Sequence, residues 1–142
     1  MSDLFKTGAE RCAVRCIHPE TVARAQAALE DEATYIQLAE LFGALADTTR
    51  AKIIHTLARQ ELCTCDLAAV VGITDSGASQ HLRVLRALRL VQSRRKGKYV
   101  YYRLEDAHVA LLLQVGLAHQ QDGDQSNEPQ TFTLIPYHKR SS

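Results

Sequence analysis

The chain has 142 residues, 46% of them hydrophobic, with 17 Lys and Arg against 16 Asp and Glu and with four cysteines. That length suits one domain with a sizeable core, and no apolar run is long enough to cross a bilayer. The opening MSDLFKTGAERC lacks the apolar stretch of a secretory signal. A cytosolic protein is therefore expected, in which cysteines act as metal ligands or redox thiols more often than as structural disulfides.

In chain order, residues 1–18 read as a polar arm that carries Cys12 and Cys16 and ends where Pro19 suits the first turn of a helix. A first helix is expected from Pro19 to about residue 29 or 31, with Val22, Ala25 and Leu29 on its apolar edge. A second spans about 33–46, with Tyr35, Leu38, Leu41, Phe42 and Leu45 on one face. Asp47-Thr48-Thr49 caps a third, whose stripe is Ile53, Ile54 and Leu57 and which ends near Gln60. A fourth, short helix over 66–71 is stopped by Gly72. The turn through 72–75 leads to a fifth helix, completing a helix-turn-helix. In that fifth helix Ala78, Leu82, Leu85 and Leu88 recur at helical spacing. Ser76, Gly77, Ser79, Gln80, His81 and Arg83 lie off the stripe, near its start, where such a helix offers its first turns to base edges in the major groove.

After Leu90 the pattern changes. Two β-prone runs flank Lys96-Gly97-Lys98, which predicts a hairpin with a cationic tip formed by Arg94, Arg95, Lys96 and Lys98. Between Ser76 and Arg103 stand eight Lys or Arg and no Asp or Glu, which leaves 9 basic against 16 acidic residues elsewhere. A near-neutral chain is thus a basic face on an acidic body, the footprint of a phosphate-backbone partner. The expected class is mainly α with a small β-hairpin, a homodimeric winged helix-turn-helix over residues 19–122 that binds double-stranded DNA. Asp106 caps a last, long helix ending near Asp122-Gly123. Its Val109, Leu112, Leu113, Gly116 and Leu117 make a broader apolar surface than a terminal helix on a monomer buries, so it is read as a dimer interface, together with the first helix. The tail 123–142 is polar up to Gln130 and then carries a short apolar patch at 131–137.

Two constellations have the chemistry of metal ligands. Cys63 and Cys65, with Cys12 and Cys16, form an all-sulfur set suited to cadmium, lead or zinc. Inside one helix a pair two apart points about 200° apart and cannot share an ion. Here it sits at the start of the fourth helix, with Thr64 or Cys65 expected at the cap and a helix N-terminus that favours the thiolate. The second set is Asp106, His108, His119 and Asp122. His108 and His119 lie about 16 Å apart along one helix axis. Two such helices paired antiparallel would join Asp106 and His108 of one chain to His119 and Asp122 of the other, in nitrogen and oxygen sites suited to zinc or cobalt. His18, His55 and His138 have no such company.

These segments resemble the ArsR/SmtB family of dimeric winged-helix metal-sensing repressors, and most closely its cadmium/lead/zinc-sensing branch. The residues that carry the likeness are Glu-Leu-Cys-Thr-Cys-Asp-Leu at 61–67, Ser-Gly-Ala-Ser-Gln-His-Leu at 76–82, the wing at 94–102, Asp106 and His108 followed by His119, and the arm cysteines. The resemblance implies an apo dimer on a palindromic operator that is released by Cd(II), Pb(II) or Zn(II), derepressing efflux or sequestration genes. It makes Cys63 and Cys65 core thiolates and Cys12 and Cys16 arm ligands from the other subunit. It makes Asp106, His108, His119 and Asp122 an interfacial zinc site, with Asp122 where the family commonly has Glu. A thiol-based redox or reactive-sulfur repressor on the same fold is the alternative. An enzyme is not expected, since no nucleophile is paired with a base.

Overall fold

The computed structural model describes residues 10–122; the tail patch at 131–137 lies outside them. The chain divides into two compact units, residues 1–35 and 36–142, and helix α2 (Glu32–Leu45) runs from the first into the second. In the first unit, α1 (Pro19–Ala27) has proline in its opening turn, Glu20 at its positive end and Arg24 at its negative end. It stops at Ala27, short of the expected 29 or 31. Just before α2, the Asp31 carbonyl accepts the Thr34 amide at 3.1 Å and its carboxylate accepts the Thr34 hydroxyl.

In the second unit, Asp47 is extended and its carboxylate accepts the Arg50 amide at 2.9 Å, which opens α3 (Thr48–Leu57). A two-residue strand, β1 (Leu62–Cys63), precedes α4 (Thr64–Val71), and α4 ends on Gly72 at φ +80°, a conformation that suits a residue without a β-carbon. The Thr74 hydroxyl accepts the Gly77 amide at 2.9 Å and opens α5 (Asp75–Ala87). Strands β2 (Val91–Lys96) and β3 (Tyr99–Leu104) pair antiparallel from Val91↔Leu104 to Lys96↔Tyr99, leaving Gly97, at φ +61°, and Lys98 as the hairpin loop. The last helix is α6 (Ala107–Asp122).

The expected hairpin is in fact two strands of a three-stranded sheet in the order β1-β3-β2, because Leu62 and Cys63 pair with Tyr102 and Tyr101. A two-residue strand shows no alternation by which to be found. Ile53, Ile54, Leu67, Leu82, Leu85 and Val91 are the largest fully buried side chains, so α3, α4, α5 and the root of the wing share one core. The stripe of α5 is therefore what packs, and its polar side is left outward.

Two expected stripes split. On α2, Leu41 and Leu45 join the core whereas Leu38 and Phe42 are exposed. On α6, Val109 is buried and Leu113 packs against the core, whereas Leu112, Val115 and Leu117 are exposed. Each helix thus keeps an apolar side that the described residues leave exposed, as a self-associating protein would. Replacing Leu82, which is 0% exposed, by Ala should cost about 2–5 kcal/mol. Val84→Ala, on the exposed side of the same helix, should stay within about 0.5 kcal/mol. Urea unfolding at one fixed protein concentration measures both.

Candidate nucleic-acid interface and metal centre

The polar face of α5 is built as the stripe requires. Ser76, Ser79, Gln80 and Arg83 are exposed, opposite the buried Ala78, Leu82 and Leu85. Gly77 is only half-exposed and belongs to the cap: a β-carbon there would lie 3.1 Å from the Thr74 hydroxyl oxygen. His81 is half-buried and lies toward Asp47. The Asp47 carboxyl is held below its ordinary 3.8 first by the Arg50 amide bond, then by the Arg50 charge and, more weakly, by His81. In the wing Arg95, Lys96 and Lys98 are exposed. Arg94 is engaged: its Nε donates to Glu61 Oε1 at 2.7 Å, its Nη2 donates to the same oxygen, and its guanidinium lies 5.1 Å from the centre of the Tyr101 ring. Arg103 donates to Gln92 Oε1 at 2.9 and 3.2 Å.

The cysteine pair is divided between two kinds of backbone. Cys63, and not Thr64 or Cys65, is the N-cap of α4; it closes β1 in an extended conformation (φ −75°, ψ 161°). Cys65 is then the second residue of the helix. The pair is not carried on one helical ladder, so the opposed directions of an i, i+2 helical pair do not apply. Cys63 is buried at 6% exposure and Cys65 is exposed. The expected easing of ionisation by the helix N-terminus does not prevail at Cys65. Its thiol is pushed above the ordinary 9.0, chiefly by the Asp75 carboxylate and then by desolvation, Cys63 and Asp66, which together outweigh its backbone hydrogen bond. Cys65 Sγ lies 3.9 Å from Asp75 Oδ2, so the pair touches the first residue of α5. Cys12 and Cys16 are exposed thiols of the first unit.

On α6, Asp106 Oδ1 accepts the amides of His108 at 2.9 Å and Val109 at 3.4 Å, and lies 3.4 Å from His108 Nδ1. His119 is exposed in the last turn and Asp122 closes the helix. Among the described residues of the single chain, no three His, Cys, Asp or Glu side chains group closely enough to hold an ion. His55 lines an open groove between α3 and α6 with Arg59, Gln114, Leu117 and Gln121. Sequence reasoning missed Glu61, Tyr101 and Asp75 as neighbours of these residues. Glu61 did sit beside the cysteine pair, but Arg94 is 33 positions away and no local spacing joins them.

Residues 47–93 match the family described as bacterial regulatory protein, arsR family. The chain is 45% identical over 111 residues to a transcriptional repressor SmtB homolog of Synechocystis, a stretch covering 78% of each chain. This chain belongs to the arsR family of bacterial regulatory proteins. It is also 39% identical over 114 residues to a cadmium resistance transcriptional regulatory protein CadC homolog of Staphylococcus aureus, covering 80% of this chain and 93% of that one. Its fold is that of a homodimeric winged helix-turn-helix DNA-binding domain from Mycobacterium bovis, with a TM-score of 0.61 and 29% identity over 68% of this chain and 92% of that chain. The arsR family consists of DNA-binding transcriptional regulators rather than enzymes. Among the described residues no helix is long and apolar enough to cross a membrane.

The Asp75 contact has a measurable consequence in this arsR-family chain. With Cys12 and Cys16 changed to Ser, iodoacetamide should alkylate the exposed Cys65 with a pH midpoint above that of an unperturbed thiol, because only the thiolate reacts. Asp75→Asn removes the largest opposing charge and should move that midpoint down. An unchanged midpoint would show that Asp75 does not control the thiol.

Proposed function

We propose that the protein is a homodimeric, metal-responsive transcriptional repressor that holds a palindromic operator when metal-free and leaves it on binding Cd(II), Pb(II) or Zn(II). The observation that carries this reading is the contact between Cys65 and Asp75, which sets a thiol of the ligand pair against the first residue of the DNA-facing helix. The relatives described as a repressor SmtB homolog and a cadmium resistance regulator support the metal reading over the thiol-redox one.

On this reading the DNA face is Ser76, Ser79, Gln80 and Arg83 on α5, with Arg95, Lys96 and Lys98 on the wing lying along phosphates. Cys63 and Cys65 supply two sulfurs, and Cys12 and Cys16 complete the set from the arm of the other chain. The donor chemistry fits thiophilic ions, and the divided backbone allows the two sulfurs to converge. Asp106, His108, His119 and Asp122 make a second, nitrogen and oxygen set for zinc across paired α6 helices. One carboxylate and one imidazole sit at each end of α6, as antiparallel pairing requires. The exposed Leu112, Val115 and Leu117 supply the apolar contact for that pairing. The protein would act in the cytoplasm, on the promoters of genes for metal efflux or sequestration.

Metal and operator must then oppose one another reciprocally, since each favours a different arrangement of the same dimer. A coupling of about 1–3 kcal/mol corresponds to about a 5–150-fold loss of operator affinity. The test is operator binding by fluorescence anisotropy, titrated with each ion. Cys63→Ser and Cys65→Ser should bind operator like wild type yet resist release by cadmium. A Cys63→Ser protein released as readily as wild type would refute the assignment.

A further inference from the structure

The sheet places a ligand cysteine and a wing arginine in one row. Tyr101 of the central strand β3 is paired with Cys63 of β1 on one side and with Arg94 of β2 on the other. Directly opposed residues present their side chains to the same face. It is the face away from the core, because Leu62, Tyr102 and Leu104, one position off this row or at odd steps from it, pack inward. Glu61 closes the row by reaching from the residue before β1 to the Arg94 guanidinium, which also lies over Tyr101. Arg94 is thus held by two groups at once although, like its neighbours Arg95 and Lys96 on the same strand, it is exposed.

A guanidinium presents its donors in a planar fork. Committing Nε and Nη2 to one carboxylate oxygen, with the guanidinium over the Tyr101 ring, takes up one edge and one face of the group and ties its orientation to Glu61 and the sheet. An added negative charge beside the duplex would also be unfavourable unless it were already neutralised by a cation. We infer that Arg94 is not one of the wing's phosphate contacts but, with Glu61, is a positioning pair that couples the Cys63 strand to the wing. This rests on the proposed role of Cys63 as a metal ligand and deepens it. A change in the set of β1 on metal capture then reaches Arg95, Lys96 and Lys98 through one row of side chains, besides reaching α5 through Cys65.

The test uses the full-length dimer with Glu61→Gln, Arg94→Gln, Arg94→Lys and Arg95→Gln. Operator affinity is measured over a salt series with and without Cd(II), and the ultraviolet sulfur-to-cadmium charge-transfer band reports metal binding separately. Each lost phosphate contact flattens the slope of log affinity against log salt by about 0.9, so a substitution that removes one from each protomer of the dimer flattens it by about 1.8. Arg95→Gln should show that change and Arg94→Gln should not. Glu61→Gln and both Arg94 variants should keep the charge-transfer band while the cadmium-induced loss of operator affinity shrinks toward unity. Arg94→Lys is decisive because it keeps the charge but loses the fork and the stacking. A lysine variant that releases like wild type, or an Arg94→Gln slope that falls like that of Arg95→Gln, would overturn the inference. If wild type itself fails to respond to cadmium, the metal reading fails and the coupling fails with it. The salt slopes would still decide whether Arg94 grips phosphate.

Discussion

Much of this molecule depends on Cys63 belonging to two elements at once. It ends β1 with its backbone paired to Tyr101, and it is the N-cap of α4. A strand-to-helix junction turns the chain sharply, and here the turn brings the cysteine pair, the first turn of α4 and the wing to one place. Thr64, the next residue, approaches the Val100 carbonyl at 3.5 Å and marks the same junction from the helix side. The side chain of Cys63 is buried although it lies outside the main core cluster. A rigid thiol at a junction is a good point from which to influence two neighbouring elements, because a small displacement there cannot be absorbed by a loop.

The division of charge is the second organising feature. The basic residues are concentrated on α5 and the wing, and the few acidic groups that approach them have specific tasks. Asp75 lies at the positive end of α5 and against Cys65. Glu61 holds Arg94, and its own carboxyl is kept below the ordinary 4.5, first by that hydrogen bond. Ion pairing of this exposed kind contributes little to overall stability. The effect of these acidic groups is to choose orientation: which cations of the wing stand outward and how the first turn of α5 is presented. Stability comes from the apolar layer beneath, where Ile53, Ile54, Leu67, Leu82, Leu85 and Val91 exclude water completely.

That separation suits the proposed antagonism of two ligands. The core fixes α3, α4, α5 and the root of the wing as a body, while the groups proposed to meet DNA or metal lie on its surface or at its junctions. The exposed apolar sides of α2 and α6 add a further demand, since uncovered leucines and aromatics favour a second copy. On the proposed reading, pairing of chains is what assembles the ligand sets, because a single protomer gathers only parts of each.

The helices, the helix-turn-helix and the hairpin were legible in the sequence because apolar spacing and capping residues are local signals: Asp47 and Gly72 do in the fold what their positions suggested. The eight-to-none run of basic residues was equally plain. The strand β1 was not, for a pair of residues has no period and is defined only by its partner, some 40 positions further on. The Glu61–Arg94 pair and the Cys65–Asp75 contact were hidden for the same reason, as each joins residues on different elements. Local chemistry thus determined the elements, the basic face and the candidate sulfur and imidazole ligands. Only the tertiary fold decided which acid neutralises which cation, which cysteine is buried, and that the Cys65 thiol is disfavoured as an anion, because those depend on distances through space that sequence separation does not encode.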